Sequence, residues 1–202
     1  MKTINQVKRA LMMVFLPTVL GSVATAQIQF QSASFIGTGC PQRKKTEFVP
    51  STTVTVADNR ISILFDEFIV DSTKTNRSTC KILIPVKVEE NYQISLKHVE
   101  TEGYLKQSLN SETTARALVR FSNKPDAHYQ LAKDWYGLID ESFNLKNVIS
   151  RANTQLWSDC GQRDFFIVLD YEMNFKMKDN SVTNFATFDS SEYQAQWRYC
   201  RP

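Results

Sequence analysis

The longest regular pattern in the chain is an alternation of apolar and polar residues that starts at Phe165. Its odd positions read Phe165, Ile167, Leu169, Tyr171, Met173, Phe175 and Met177, and its even positions after Val168 read Asp170, Glu172, Asn174, Lys176 and Lys178. A period of two sends these sets to opposite faces of a strand, one buried and one wet, as in an antiparallel sheet. The same alternation recurs in Ile82, Ile84, Val86 and Val88, in Tyr92, Ile94 and Leu96, and in Ala115, Ala117, Val119 and Phe121. Val54 and Val56 mark a shorter strand, and Tyr193, Ala195, Trp197 and Tyr199 close the chain.

Three interruptions qualify the pattern. Ile61, Ile63 and Phe65 are in phase, but Phe68 and Val70 are out of it, so a β-bulge is expected near Asp66-Glu67. Pro85 removes a ladder donor and predicts an edge strand or a bulge. The stretch Asp134–Ala152 fits neither period and reads as a short helix or an irregular excursion, more mobile than the strands. Turn residues separate the runs at Asp58-Asn59, Glu89-Glu90-Asn91, Glu102-Gly103 and Lys178-Asp179-Asn180. Eight to ten short strands predict an all-β fold, an antiparallel β-sandwich, with a jelly-roll or barrel variant as the alternative.

The amino terminus follows different rules. Lys2, Lys8 and Arg9 precede an apolar run from Ala10 to Leu20, and Ala24-Thr25-Ala26 supplies the small residues of a cleavage site. Residues 1–26 therefore read as a cleavable signal peptide and 27–202 as a single domain, secreted, periplasmic or extracellular. The apolar core is about half the ~20 residues a transmembrane helix needs, and Gln27 is not the cysteine of a lipid anchor. Residues 1–26 hold three of the 24 basic residues and none of the 21 acidic ones, so the mature chain is neutral. Neutrality removes the bulk electrostatic case for nucleic acid or an anionic membrane as partner.

Four cysteines, Cys40, Cys80, Cys160 and Cys200, lie beyond the cut. In an oxidising compartment an even count implies disulfides, and spacings of forty residues or more do not suit a metal site. Of three possible pairings, Cys40–Cys80 and Cys160–Cys200 are favoured. Cys80 shares the inward phase of Ile82 and Ile84, within reach of a turn holding Cys40, and Cys160 and Cys200 bracket strands that should be neighbours. Each ring is worth roughly 3–4 kcal/mol by chain entropy.

Four motifs stand in order: Gly37-Thr38-Gly39-Cys40-Pro41, Ile63-Leu64-Phe65-Asp66-Glu67-Phe68, Trp157-Ser158-Asp159-Cys160-Gly161 and Gln196-Trp197-Arg198-Tyr199-Cys200. With Cys80 opening an alternating strand and Gly103-Tyr104 after it, the set resembles the secreted family known as domain of unknown function 4360. The resemblance runs from about residue 28 to 200, although residues 105–150 are more charged and less glycine-rich than is usual there. It implies a disulfide-bonded, β-rich extracellular domain and brings no activity with it.

Candidate chemistry is sparse. Asp170 and Glu172 share a face about 7 Å apart, a spacing that glycoside hydrolysis can use, but Asn174, Lys176 and Lys178 continue the same stripe, as on a solvated face. Asp66 and Glu67 are binding candidates because bulges re-aim side chains. Trp135 and Tyr136 are candidates for an exposed aromatic platform. Trp157 and Trp197, each three residues before a cysteine, read as core packing on a disulfide, and His98 as an interior or rim histidine in phase with Ile94 and Leu96. Asn76-Arg77-Ser78 fits an N-glycosylation sequon. No motif for a catalytic residue, cofactor or metal is present, so the expectation is a non-enzymatic protein that binds an extracellular glycan or another protein. A secreted polysaccharide hydrolase, an inhibitor or an adhesin are the alternatives. Intact-mass analysis of exported protein should find a chain starting at Gln27, and retention of residues 1–26 would contradict this reading.

Overall fold

The computed structural model describes residues 28–41, 52–57, 59–148, 156–177 and 183–200, and the signal segment and the 178–180 turn lie outside them. Every element is a strand: β1 (Gln29–Phe30), β2 (Ser34–Ile36), β3 (Thr52–Ala57), β4 (Arg60–Phe65), β5 (Ile69–Asp71), β6 (Arg77–Lys87), β7 (Tyr92–Gln107), β8 (Ser111–Phe121), β9 (His128–Tyr136), β10 (Ile139–Val148), β11 (Asp164–Met177) and β12 (Phe185–Tyr199). They form two antiparallel six-stranded sheets packed as a sandwich. The first has the order β1-β6-β11-β8-β9 with β2 also on β6, and the second β10-β7-β12-β4-β3 with β5 also on β12.

The inward sets are those the alternation marks. Ile82, Ile84, Ile167, Leu169, Met173 and Val119 line the first sheet with at most 1% exposure, facing Ile61, Ile63, Ile94 and Leu96 of the second. Aromatic rings fill the middle. Tyr171 meets Phe65 at 4.9 Å and Phe188 at 5.8 Å between centroids, and Phe68 meets Phe188 at 4.8 Å, all edge-on as ring quadrupoles prefer. The phenol oxygens of Tyr171, from the first sheet, and Tyr193, from the second, lie 2.6 Å apart at the centre. Ser191 interacts with both phenols and donates to the carbonyl of Glu100 at 3.1 Å, and Thr101 joins it at 2.6 Å.

Departures from period two have local causes. Between β4 and β5 the chain bends at Asp66-Glu67, so that Phe65, Phe68 and Val70 all point inward. The register Ser190↔Leu64 becomes Thr187↔Ile69 across this bend, which sets four residues against two and interrupts the strand more than a simple bulge would. Pro85 is not on an edge strand, because β6 is flanked by β11 on one side and by β1 and β2 on the other. Its carbonyl accepts from Gln31 just past the end of β1, and its missing donor faces the same side, in the gap between Phe30↔Val86 and Ser34↔Leu83 where β1 has ended and β2 has not begun. Gly103 is not in a turn but inside β7. A Cβ there would sit 2.1 Å from the Thr187 carbonyl oxygen and 2.5 Å from the Phe143 ring, so glycine permits a close approach of chains. Asn59 holds the β3–β4 turn with φ 67°.

Asp134–Ala152 is the largest correction. Its described part, to Val148, completes β9, turns at Gly137-Leu138 and runs on as β10. β9 and β10 are the edge strands of the two sheets on the same side, and Trp135 packs against Phe143 at 4.9 Å to close that side. The alternation is hidden because Lys133 and Glu141 occupy inward positions that remain exposed at the open rim. Residues 149–152 lie outside the described residues.

Burial shapes the tyrosine pair electrostatically. Desolvation raises the phenol of Tyr171 well above the ordinary tyrosine value and that of Tyr193 to about 12. An unfolded tyrosine ionises near pH 10 while these two stay protonated, so their contribution to stability is intact below pH ~10 and falls as pH rises toward 12. Ultraviolet titration should show two of the seven tyrosines ionising only with alkaline unfolding above pH ~10. Ionisation of all seven near pH 10 with the fold intact would contradict the buried pair.

Candidate functional site

The carboxylate candidates do not converge. Asp170 and Glu172 point outward from β11 and are neutralised by neighbours: Lys81 Nζ stands 3.5 Å and Arg120 3.8 Å from Asp170, and Arg77 Nε 3.0 Å from Glu172. Asp66 is exposed and Glu67 half-buried at the bend between β4 and β5, on the other sheet. Among the described residues no group of three or more His, Cys, Asp or Glu side chains is arranged to hold a metal.

His98 also moves relative to expectation. Residues Gln194↔His98 and Ala195↔Leu96 pair with Lys97 left over, so a bulge flips the phase of β7. Val99 and Thr101 then point inward, and His98 faces out with Nε2 3.6 Å from Glu100. On this outer face Glu100 stands directly opposite Glu192, an unfavourable pair of like charges. Lys146 and then Asn144, whose amide lies 2.7 Å from both Glu100 and Glu102, hold the Glu100 carboxyl below its usual range. Arg60 at 3.4 Å serves Glu192. These groups answer one another, so the stripe is a surface network.

The aromatic candidates change places. Trp135 is 8% exposed against Phe143, while its neighbour Tyr136 is 68% exposed, as opposite faces of one strand require. The two therefore form no common platform. Trp197, expected in the core, is 41% exposed, and Tyr199 is 59% exposed. Both continue the inward phase of Tyr193 and Ala195, but β12 here outruns the packed core and its inner face opens to solvent.

This end of the second sheet is tightly built. The segment Leu156–Ser158 lies alongside β7, with Ser158 donating from its amide to the Ile94 carbonyl at 2.9 Å and accepting at Oγ from the Ile94 amide at 3.1 Å. Arg198 lies over the Trp157 ring at 4.1 Å and donates from Nε to Gln93 Oε1 at 2.8 Å. Gln93 in turn donates to the Ser158 carbonyl at 2.9 Å. Tyr199 meets Tyr92 edge-on at 5.4 Å. The Cys160–Cys200 bond then ties the end of β12 to the Trp157 segment, and the Cys200 amide donates to Asn91 at 2.7 Å. Gln93, Cys160, Arg198 and Tyr199 line a cavity of about 620 Å³. Sequence reasoning missed Gln93, Arg198 and Tyr199, although the run Gln196-Trp197-Arg198-Tyr199-Cys200 holds two aromatic rings and a guanidinium in three consecutive residues.

Both expected disulfides form. Cys40–Cys80 is buried, in a segment where Thr38 Oγ1 accepts from the Thr79 amide at 3.2 Å and Gly39 donates to the Thr79 carbonyl at 2.9 Å. A Cβ on Gly39 would meet the Phe68 ring at 2.4 Å, which accounts for a small residue before Cys40. The four motifs thus occupy matching structural posts: a strap, a bend, an added strand and a strand end.

A model of the domain of unknown function DUF4360 matches residues 26–200. The chain belongs to this family. No curated protein matches it. Among solved structures, this DUF4360 chain is similar to TmCBM61, determined in complex with beta-1,4-galactotriose, at 9% identity and TM-score 0.31, over 83% of this chain and 88% of that one. It is also similar to a family two carbohydrate esterase from Cellvibrio japonicus, at 8% identity and TM-score 0.27, over 86% of this chain but only 37% of the esterase.

The two disulfides of the DUF4360 domain differ in access. Cys40 and Cys80 are at most 1% exposed, whereas Cys160 is exposed and Cys200 half-buried. Limited thiol reduction followed by alkylation and mass mapping should label Cys160 and Cys200 well before Cys40 and Cys80. Equal labelling rates would show that access does not control them.

Proposed function

We propose that this DUF4360 protein is an exported, non-enzymatic β-sandwich that binds polysaccharide outside the cell through the aromatic end of its second sheet. One observation carries the reading. Trp197 and Tyr199 are both exposed and stand two residues apart on one face of β12, roughly 7 Å from each other along the strand. A pyranose ring presents an apolar C–H face, and covering it with an exposed indole or phenol removes apolar surface from water on both sides.

The neighbouring groups fit the same task. Gln93 and Arg198, which leave the sheet on the face opposite Trp197, are held by their hydrogen bond, and Arg198 also by the Trp157 ring; both line the cavity beside Tyr199 and bring N–H donors for hydroxyls. The disulfide at Cys200 holds the platform rigid, which lowers the ordering cost of binding. Against a hydrolase, the carboxylates of Asp170 and Glu172 are each ion-paired on an open sheet face, far from the arrangement in which an acid and a nucleophile flank one bond.

Affinity electrophoresis and calorimetry of the oxidised mature protein against a panel of neutral polysaccharides test the proposal. Trp197→Ala and Tyr199→Ala should each weaken binding about tenfold or more, equivalent to about 1.4 kcal/mol, with melting temperature nearly unchanged. Wild-type protein that binds none of the panel, or variants that bind as wild type does, would reject it.

A further inference from the structure

A second surface lies on the outer face of the other sheet, away from the aromatic end. Across β6, β11, β8 and β9 the register places Lys81, Asp170, Leu118 and Gln130 in one row, and Thr79, Glu172 and Arg116 in the next. Together with Ile36 and Arg77 these residues line a groove of about 580 Å³ that runs across five strands, from β2 to β9. At about 4.8 Å per strand spacing, its length is roughly 19 Å.

The charges in this groove do not cancel. Glu172 stands opposite Arg116 in the ladder, yet its carboxylate is taken by Arg77 at 3.0 Å. Asp170 is shared between Lys81 at 3.5 Å and Arg120 at 3.8 Å. Both carboxylates are thus committed to other cations, and among the described residues Arg116 has no hydrogen-bond or ion-pair partner. Its guanidinium keeps five donors in a planar fork. Gln130, diagonal to it across β8 and β9, also carries an amide without a partner among the described residues. Between them lies half-buried Leu118, and Ile36, 59% exposed, forms the apolar wall at the far side.

We infer that this groove is an oxyanion-recognising site for an acidic polysaccharide, with Arg116 as the anchor of the anionic group. A single free guanidinium beside an amide and two aliphatic side chains suits a hydroxyl-rich chain that carries isolated anionic groups. The oxyanion is the carboxylate of a uronate or the sulfate of a sugar ester, since both offer the acceptor pair that the fork of Arg116 takes. Nucleic acid is a poorer match, because its closely spaced phosphates call for a stripe of free cations and here the surplus is one. The inference goes beyond the proposed function: it concerns a different face and a different chemistry.

Calorimetric titration of the full mature, oxidised protein with three oligosaccharides of equal length decides it: an oligouronate, a sulfated oligosaccharide and a neutral one. The uronate or the sulfated probe should bind in a salt-sensitive manner, and which of them binds more tightly names the source of the oxyanion. Arg116→Gln should weaken that binding at least tenfold at unchanged melting temperature, Arg116→Lys should restore part of it, and Trp197→Ala should leave it intact. Absence of binding by both acidic probes, or Arg116→Gln binding within twofold of wild type, would overturn the inference. Because the neutral glycans test Trp197 and the acidic ones test Arg116, either proposal can fail without the other.

Discussion

The meeting of two phenol oxygens between the sheets governs how this sandwich is assembled. Tyr171 and Tyr193 are fully buried, and each hydroxyl is satisfied chiefly by the other, 2.6 Å away. A buried hydroxyl left without its partner costs about 1–3 kcal/mol, so the central strands β11 and β12 are held in one relation along their length. A slip of one residue in either strand would turn its tyrosine outward and leave the other unpaired. Ser191, Thr101 and the Glu100 carbonyl extend the network into β7, which fixes the register of β12 on both sides. Around it Phe68 packs edge-on against both Phe65 and Phe188, so polar specification and apolar burial act at the same place.

With the middle fixed, irregularities are pushed toward positions where they can be absorbed. The excess residues at Asp66-Glu67 and Asp189 flank Phe188, and the bulge at Lys97 lies between Leu96 and Val99. Each lets apolar residues on both sides of a phase change still reach the core. Their consequence is felt on the surface: His98 and Glu100 are turned out together, and the acidic stripe on that face needs Lys146, Asn144 and Arg60 to relieve it. The outer face of the first sheet follows the unbroken phase of β11 and β8. There each cross-strand row sets an acid beside a base, Asp170 by Lys81 and Glu172 by Arg116, and Arg116 is the residue that pairing leaves over.

Burial changes along β12. Its middle is core, while its last residues extend past the packed region and expose Trp197 and Tyr199. An exposed strand end carrying large aromatic rings would fray without support. The added strand at Leu156–Ser158, the Arg198–Gln93–Ser158 chain of hydrogen bonds and the Cys160–Cys200 bridge supply that support. Each disulfide closes a separation of 40 residues, yet they serve different purposes. Cys40–Cys80 fastens a strap onto the core, and Cys160–Cys200 holds a surface in shape.

Period-two alternation by itself determined the antiparallel sandwich, the inward faces of β6, β8 and β11, and the phase of Cys80, because burial of one face is a local property of a strand. The Cys40–Cys80 pairing was legible for a related reason: an inward cysteine can reach only what its own layer touches. What the sequence could not decide depends on where a strand sits in the sheet. β9 and β10 carry Lys133 and Glu141 on inward positions, which contradicts a strand pattern until both prove to be edge strands whose rims meet water. Pro85 signals an edge, but the true reason for its tolerance is a gap between two short neighbours. Trp135 and Trp197 are equally apolar in sequence, and only the tertiary structure buries the first against Phe143 and leaves the second in solvent. Likewise Glu172 and Arg116 are neighbours in the ladder, and only side-chain competition with Arg77 leaves the guanidinium free. Alternation records which way a side chain points, whereas exposure and pairing depend on what the other sheet and the neighbouring strands place in front of it.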